Sequence, residues 1–381
     1  MIIAIDARMY GAEQTTGIGQ YIKQLTNHLF KIDPENQYIM FLRSPEFDCY
    51  EPPAPNVKKI RVTPRWYTYA EQFKLPFEFR QAKFDLIHYP HFNSPILYHP
   101  KSICTIHDIT PLFFPGHRMK SIIRRLGYKK VFTGTLKNAS HIITVSNSTK
   151  QGLVKHLNIP ETKIKITYEG VDERFRIISD YGIINQTKAR YRITRPFIFS
   201  AGVWRNHKNL EGLIAAFEIL KQTYQIPHQL VIAGQEDPSY PNIRRAIDAS
   251  PNKNDIITPG FIPATELPIL YNGAELLAFP SFIEGFGLIA IEAQTCGCPV
   301  AASNITSLPE ILGDSAVLFN PHDSSDIAAK IYQIISNQTI KTTLTQKGLI
   351  NSQRFSWYTC ARQTLDVYHS ILSGQHHHDR C

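Results

Sequence analysis

The sequence has no apolar run near the roughly 20 residues that a helix needs to cross a bilayer, and no basic lead ahead of an apolar N-terminal stretch. Its opening, MIIAIDARMY, carries Asp6 and is expected to be a first strand rather than a signal peptide. No CxxC pair occurs, and no His stands at zinc spacing from Cys49, Cys104, Cys296, Cys298, Cys360 or Cys381. Reduced thiols in a cytosolic protein are the expectation. His376, His377 and His378 are expected to be a solvated tail. Also missing are GxxxxGK[ST], GxSxG, HExxH and a DxD acidic pair, and TTGIGQY is not a GxGxxG fingerprint. P-loop NTPases, serine hydrolases and NAD enzymes thereby lose their main sequence support.

Acidic residues are scarce in one region. None occurs between Asp108 and Glu161, a span holding nine Lys/Arg. Up to position 178 there are 25 Lys/Arg against 15 Asp/Glu, and beyond it 16 against 17, so the net charge of +9 sits in the first half. Residues 117–137 combine this charge with Met119, Ile122, Ile123, Leu126 and Phe132. Such a stretch suits an anionic membrane surface or a phosphate-bearing acceptor, or else a solvated helix with a buried stripe. No nucleic-acid module accompanies the charge, so nucleic acid is not expected as a partner.

What is present is alternation. The chain is 43% hydrophobic, 19% charged and 381 residues long, which suits two soluble domains. Short aliphatic runs at Ile2–Asp6, Tyr38–Leu42, Lys59–Val62, Leu86–Tyr89, Ile103–His107, Ile142–Ser146 and Lys163–Thr167 read as strands. Between the first two, Ile18, Ile22, Leu25 and Leu29 share one helical face. The pattern restarts with RPFIFSAG, QLVIAG, IITPGFI, ELLAFPS, CPVAAS and SAVLFN. Two doubly wound α/β domains follow: residues 1–178, a polar linker over 179–195, and residues 196–355. The amphipathic segment 356–375 is expected to pack back onto the first.

In open parallel sheets ligands bind beyond the carboxyl ends of the strands. After ELLAFPS comes FIEGFG and then the helix LIAIEAQTC. Gly285 and Gly287 allow close backbone approach, and the helix start favours an anion. Glu284 stands before that helix and Glu292 about one turn inside it. After PFIFSAG come Arg205 and Lys208, two cations suited to a diphosphate. Asn209 is expected to N-cap the helix that follows. Ser307 and Glu310 have capping-box spacing. In the first half, His107 and Asp108 end a strand, and Gly17 and Gly19 open a helix.

Taken together these motifs resemble the family-4 retaining glycosyltransferases. The likeness is strongest over Ile256–Asp323, and extends through SAGVWRNHKNLEGLIAAF, TIHDITPLFFP, IITVSNSTKQGL and ITYEGVD. It implies the GT-B fold, two Rossmann-like domains facing a central cleft. Glu284 would then lie by the donor sugar, and Glu292 would bind the ribose hydroxyls. Gly285, Phe286, Gly287 and Leu288 would hold the diphosphate through backbone, with Lys208 and Arg205 assisting. His107 would face the reacting sugar, Gly17 and Gly19 would line the opposite side, and Phe261 would flank the base. Many relatives have Arg-Lys where this chain has His207-Lys208, so Lys208 is the firmer assignment.

The implied reaction moves a sugar, with mannose from GDP-mannose as the leading candidate, onto a hydroxyl of a glycan or polyprenyl-diphosphate-linked acceptor. Neither a cofactor nor a metal is expected, and the location would be cytoplasmic or peripheral at the inner membrane face. A nucleotide-sugar epimerase on a related fold and a non-catalytic nucleotide- or glycan-binding scaffold are the alternatives.

Overall fold

The computed structural model of the protein describes residues 1–11, 17–114, 116 and 121–372. The chain divides into two compact units. One holds Met1–Pro111, Pro115–Gly170 and the chain from Ser356 on; the other holds Leu112–Phe114 and Val171–Phe355.

The first unit is built on seven strands: β1 (Ile2–Asp6), β2 (Gln37–Leu42), β3 (Val57–Arg61), β4 (Leu86–Tyr89), β5 (Ser102–Ile106), β6 (His141–Thr144) and β7 (Ile164–Ile166). They lie in the order β3-β2-β1-β4-β5-β6-β7, and every pair is parallel. Side chains alternate between two buried faces, as a sheet covered on both sides requires. Ile3, Ile5, Met40 and Leu42 enter one cluster, whereas Ala4, Ile39, Phe41 and Ile87 enter the other.

The helix Gly17–Ile32 covers the first face with Tyr21, Ile22, Leu25 and Leu29, close to the expected stripe. The helix Trp357–Leu372 packs along it and adds Trp357, Cys360, Ala361 and Tyr368 to the same cluster. The end of the anticipated 356–375 segment, with His376–His378 and Cys381, lies outside the described residues.

Two expectations change here. The 179–195 segment is not a plain linker: it contains the helix Tyr181–Arg190, capped by Asp180, whose carboxylate accepts from the amides of Gly182 and Ile183 at 2.8 and 3.1 Å. Only Ile184 and Thr187 of that helix are buried, so no hydrophobic period marks it. The chain passes into the second unit at Gly170–Val171 rather than after 178. The helix Ile122–Asn138 also lacks a continuous buried stripe. Phe132 and Leu136 are buried, but Ile122, Ile123 and Leu126 are 75%, 75% and 62% exposed. Met119, expected to join them, lies outside the described residues.

The second unit holds β8 (Phe197–Ala201), β9 (Gln229–Ala233), β10 (Ile256–Gly260), β11 (Leu276–Phe279), β12 (Val300–Ser303) and β13 (Val317–Phe319), in the order β10-β9-β8-β11-β12-β13. All of its pairs are parallel. The chain starts at β8 and winds out through β9 to β10. It then crosses back to β11 on the other side of β8. That reversal opens a crevice between the carboxyl ends of β8 and β11. Among the described residues no helix is long and apolar enough to cross a membrane.

Candidate active site

The backbone at the crevice is unusually close-packed. Gly234, just after β9, has φ of +127°, and a Cβ built there would stand 1.9 Å from the Gly202 carbonyl oxygen. Only glycine fits that approach. Gly202 itself follows β8, and a Cβ on it would meet Lys208 Cε at 3.7 Å and Ile289 Cδ1 at 3.8 Å. The end of β8, Lys208 and the start of the helix after β11 therefore converge. Ser200, Gly202, Lys208, Phe279 and Ser281 line a small recess between them.

Glu284 reaches this recess from the loop after β11. Its Oε1 accepts from Lys208 Nζ at 2.6 Å, and the two side chains are 14% and 16% exposed. Lys208 Nζ also lies 5.4 Å from the centre of the Phe279 ring. The Phe282 amide donates to the His207 carbonyl at 2.8 Å, a second tie between the two loops.

The loop after β12 fixes the Glu284 segment from the other side. Thr306 Oγ1 accepts from the Glu284 amide at 3.2 Å. The buried Ser307 hydroxyl is shared by the carbonyls of Glu284 and Phe286, each 3.0 Å away. Ser307 therefore does not form the expected capping box: it makes no side-chain cap and has helical φ and ψ of −79° and −19°. Its proton is committed to the neighbouring loop.

Gly287 precedes the helix Leu288–Thr295 with φ of +106°, and a Cβ there would come within 2.7 Å of Leu308 Cδ2. The first amides of such a helix have no intrahelical carbonyl to bond. The Phe286 side chain is buried edge-on against Phe355, 5.4 Å between ring centres. It can offer a ligand only backbone. Glu292, in the second turn of the helix, acts electrostatically on Arg174 and Tyr271. Burial, then the Glu292 carboxylate, push the Tyr271 phenol well above its ordinary value.

Not every expected residue joins the crevice. Arg205 is exposed, and its Nε lies 3.7 Å from Asp237 Oδ2, so the structure does not bring it to the Lys208–Glu284 pair. Asn209 occupies the N-cap position in a left-handed conformation without capping. Its Nδ2 donates instead to the Pro321 carbonyl at 2.7 Å. Phe261 follows β10 and is 58% exposed.

In the first unit His107 directly follows β5. Its Nε2 lies 2.9 Å from the Pro90 carbonyl and its Nδ1 3.0 Å from Glu169 Oε1. Gly17 opens its helix, and a Cβ added there would meet no atom of the described residues within 4 Å, while Gly19 is buried.

Residues 15–175 match the family Glycosyltransferase Family 4 and residues 184–350 the family Glycosyl transferases group 1. The chain belongs to the family-4 glycosyltransferases. Its two doubly wound units are those of the GT-B fold. The transferase is 29% identical to O-antigen chain mannosyltransferase B of Escherichia coli over 76% of its own length and 75% of that protein. It is 30% identical to the serotype-specific mannosyltransferase WbdA of Escherichia coli over 72% of its length, but spans only 34% of that relative. The Anabaena protein Alr3699/HepE, solved in complex with UDP and glucose, superposes with a TM-score of 0.74 at 18% identity, covering 97% of the transferase and 99% of that chain.

Three residues that fix the Glu284 loop and His107 lie within stretches that the sequence singles out, yet their roles here are not read from it: Ser307 is expected to cap, and Thr306 and Glu169 are given no role. Thr306 and Ser307 act through backbone 22 and 21–23 positions away, and Glu169 through a histidine 62 positions earlier. Each stands just beyond a strand's carboxyl end, the place where an open parallel sheet positions its ligand-holding residues. Among the described residues, no three His, Cys, Asp or Glu side chains group as metal ligands.

Proposed function

We propose that the transferase moves mannose from GDP-mannose, with retention of anomeric configuration, to a hydroxyl of a glycan or polyprenyl-diphosphate-linked glycan in polysaccharide assembly. The observation that carries this reading is the Lys208–Glu284 pair at the β8/β11 crevice. It joins a cation suited to a diphosphate with a carboxylate suited to sugar hydroxyls. The mannosyltransferase relatives support the choice of sugar, and the retaining course rests on the family resemblance.

In this reading the donor diphosphate takes Lys208, which releases Glu284 to a sugar hydroxyl. The backbone from Gly285 to Leu288 and the helix dipole, about half a positive charge at its start, receive the phosphate oxygens. Glu292 takes the ribose hydroxyls and Phe261 flanks the base. Arg205 adds charge only by turning away from Asp237. The C1–O bond to phosphate breaks, and its electron pair goes to the phosphate oxygen. The acceptor oxygen bonds to C1 on the same face, and its proton passes to that phosphate oxygen. Charge neutralisation falls to Lys208 and backbone amides, so we propose that no divalent metal is needed. In the first unit, His107, Gly17 and Gly19 are proposed as substrate-contacting residues on the strength of the family resemblance.

Exposed Ile122, Ile123 and Leu126 beside Arg124, Arg125, Lys129 and Lys130 support peripheral docking on an anionic cytoplasmic membrane face. Co-sedimentation with anionic vesicles, weakened by Ile122→Ser with Ile123→Ser, checks that point. The reaction itself is tested by incubating the protein with GDP-mannose or UDP-glucose, with and without a lipid-linked acceptor, in the presence of EDTA. Acceptor-dependent GDP release and an α-linked product support the reading. Preference for UDP-glucose would change the donor, and donor conversion without acceptor would favour the epimerase. Absence of turnover with retained nucleotide binding would favour the scaffold.

A further inference from the structure

His107 is held from three sides within the first unit. The Pro90 carbonyl, in the loop after β4, stands 2.9 Å from Nε2. The Glu169 carboxylate, beyond the end of β7, stands 3.0 Å from Nδ1, with the two side chains 15% and 11% exposed. The Tyr21 ring meets the imidazole edge-on, 4.6 Å between centres at 82°. A carbonyl only accepts, so Nε2 must carry a hydrogen. A carboxylate only accepts, so Nδ1 carries one too. A ring with both nitrogens donating is an imidazolium, and it has no lone pair with which to take a proton from a substrate.

We infer that Glu169 is a positioning residue that holds His107 in one orientation as a cation, so that His107 serves transfer as fixed positive charge toward a substrate oxygen and not as a base. The inference rests on the glycosyltransferase reading for its consequence in turnover, but not for the ion pair itself. Burial alone would discharge the ring. The Glu169 hydrogen bond and charge, the Pro90 carbonyl and neighbouring Asp108 outweigh it, and the histidine is raised above its ordinary value. The other groups around it do not compete for the charge. Burial, then His107, push His88 down to about 3 and His91 well below the usual range. The Tyr21 phenol is pushed up by burial, and burial pushes the Cys360 thiol, which senses Glu169, up to about 12. Two neutral histidines, a phenol and a thiol thus leave Glu169 and Asp108 as the anions that act on this ring.

The test pairs a titration with a pH profile, using the full-length protein. Histidine-labelled protein, with the His107 signal assigned through His107→Asn, is followed by NMR in wild type, Glu169→Gln and Glu169→Asp. Glu169→Gln keeps an acceptor and removes the charge; Glu169→Asp keeps the charge and guards against a folding defect. The wild-type ring is expected to stay protonated above the ordinary value of about 6.5, and its titration is expected to move down in Glu169→Gln. Turnover in Glu169→Gln should match wild type to within a few-fold at low pH and fall as pH rises through the range where wild type is flat. Glu169→Asp should restore most of the wild-type profile. A wild-type His107 titrating at or below about 6.5, or superimposable kcat profiles in wild type and Glu169→Gln, would overturn the inference. A wild type with no transferase activity would instead sink the proposed function, and the NMR titration would still decide the ion pair.

Discussion

Lys208 and Glu284, 76 residues apart, meet at 2.6 Å between Nζ and Oε1 and tie the loop after β8 to the loop after β11. The two side chains are only 16% and 14% exposed, so Lys208→Ala leaves the Glu284 carboxylate largely buried without its partner. The ligand-free variant should therefore unfold at a lower temperature than wild type. A nucleotide at 100 times its dissociation constant should stabilise the wild type by about 2.7 kcal/mol, and this shift should vanish in the variant. Thermal denaturation with and without GDP reads both quantities.

Ser307 offers one proton to two carbonyls of the Glu284 loop. Ser307→Ala removes that tie inside a fully buried site. The expected loss is about 1–2 kcal/mol of stability, with a weaker KM for the donor because the Glu284 segment is no longer fixed. Urea unfolding and donor-dependent kinetics check the two effects. An unchanged KM would mean that the loop is held by its other contacts.

Gly234 and Gly17 should respond oppositely to a methyl group. Gly234→Ala places a Cβ 1.9 Å from the Gly202 carbonyl oxygen at a φ of +127°. The strained backbone alone costs about 1–3 kcal/mol, and the collision adds to it, so the soluble yield should fall. Gly17→Ala meets nothing within 4 Å among the described residues, and its unfolding midpoint should match wild type. Loss of turnover in a normally folded Gly17→Ala would then mark a ligand contact there.

Among the thirteen strands of the described residues, the inner ones were most legible, because each is covered on both faces and appears as a short aliphatic run, whereas edge strands such as β3, β7 and β10 are only partly buried. The Glu284, Gly285–Gly287 and Lys208 positions were legible because they follow such runs directly. Side-chain direction was not. Arg205 and Lys208 look alike as loop cations, yet one turns to Asp237 and the other to Glu284. Ser307 and Asn209 carry capping side chains that bond distant carbonyls instead. The helix Tyr181–Arg190 went unread because its burial depends on tertiary packing at Ile184 and Thr187, not on a repeating stripe.

Acid should destabilise the fold through its neutral histidines. Burial pushes His88 down to about 3 and His207, with Lys208 beside it, down to about 4; His91 and His228 are lowered as well. A depressed folded-state value gives stability that is complete above the unfolded value of about 6.5 and is lost as pH falls below it. His107 is raised and works the other way: its contribution is complete below about 6.5 and is lost as pH rises through its folded value. The lowered group outnumbers it. His88 alone, fully buried, is worth about 1.4 kcal/mol per pH unit below that point. Urea midpoints at pH 7 and pH 5 check the direction. A higher midpoint at pH 5 would contradict it.

The most direct measurement of the donor crevice is a calorimetric titration of GDP and UDP into wild-type protein, Lys208→Ala and Arg205→Ala, with EDTA present. The expected result is one site per chain, a preference for one base, loss of binding in Lys208→Ala, and a smaller effect in Arg205→Ala. Binding that survives Lys208→Ala unchanged, or no binding of either nucleotide to wild type, would contradict a donor site between β8 and β11.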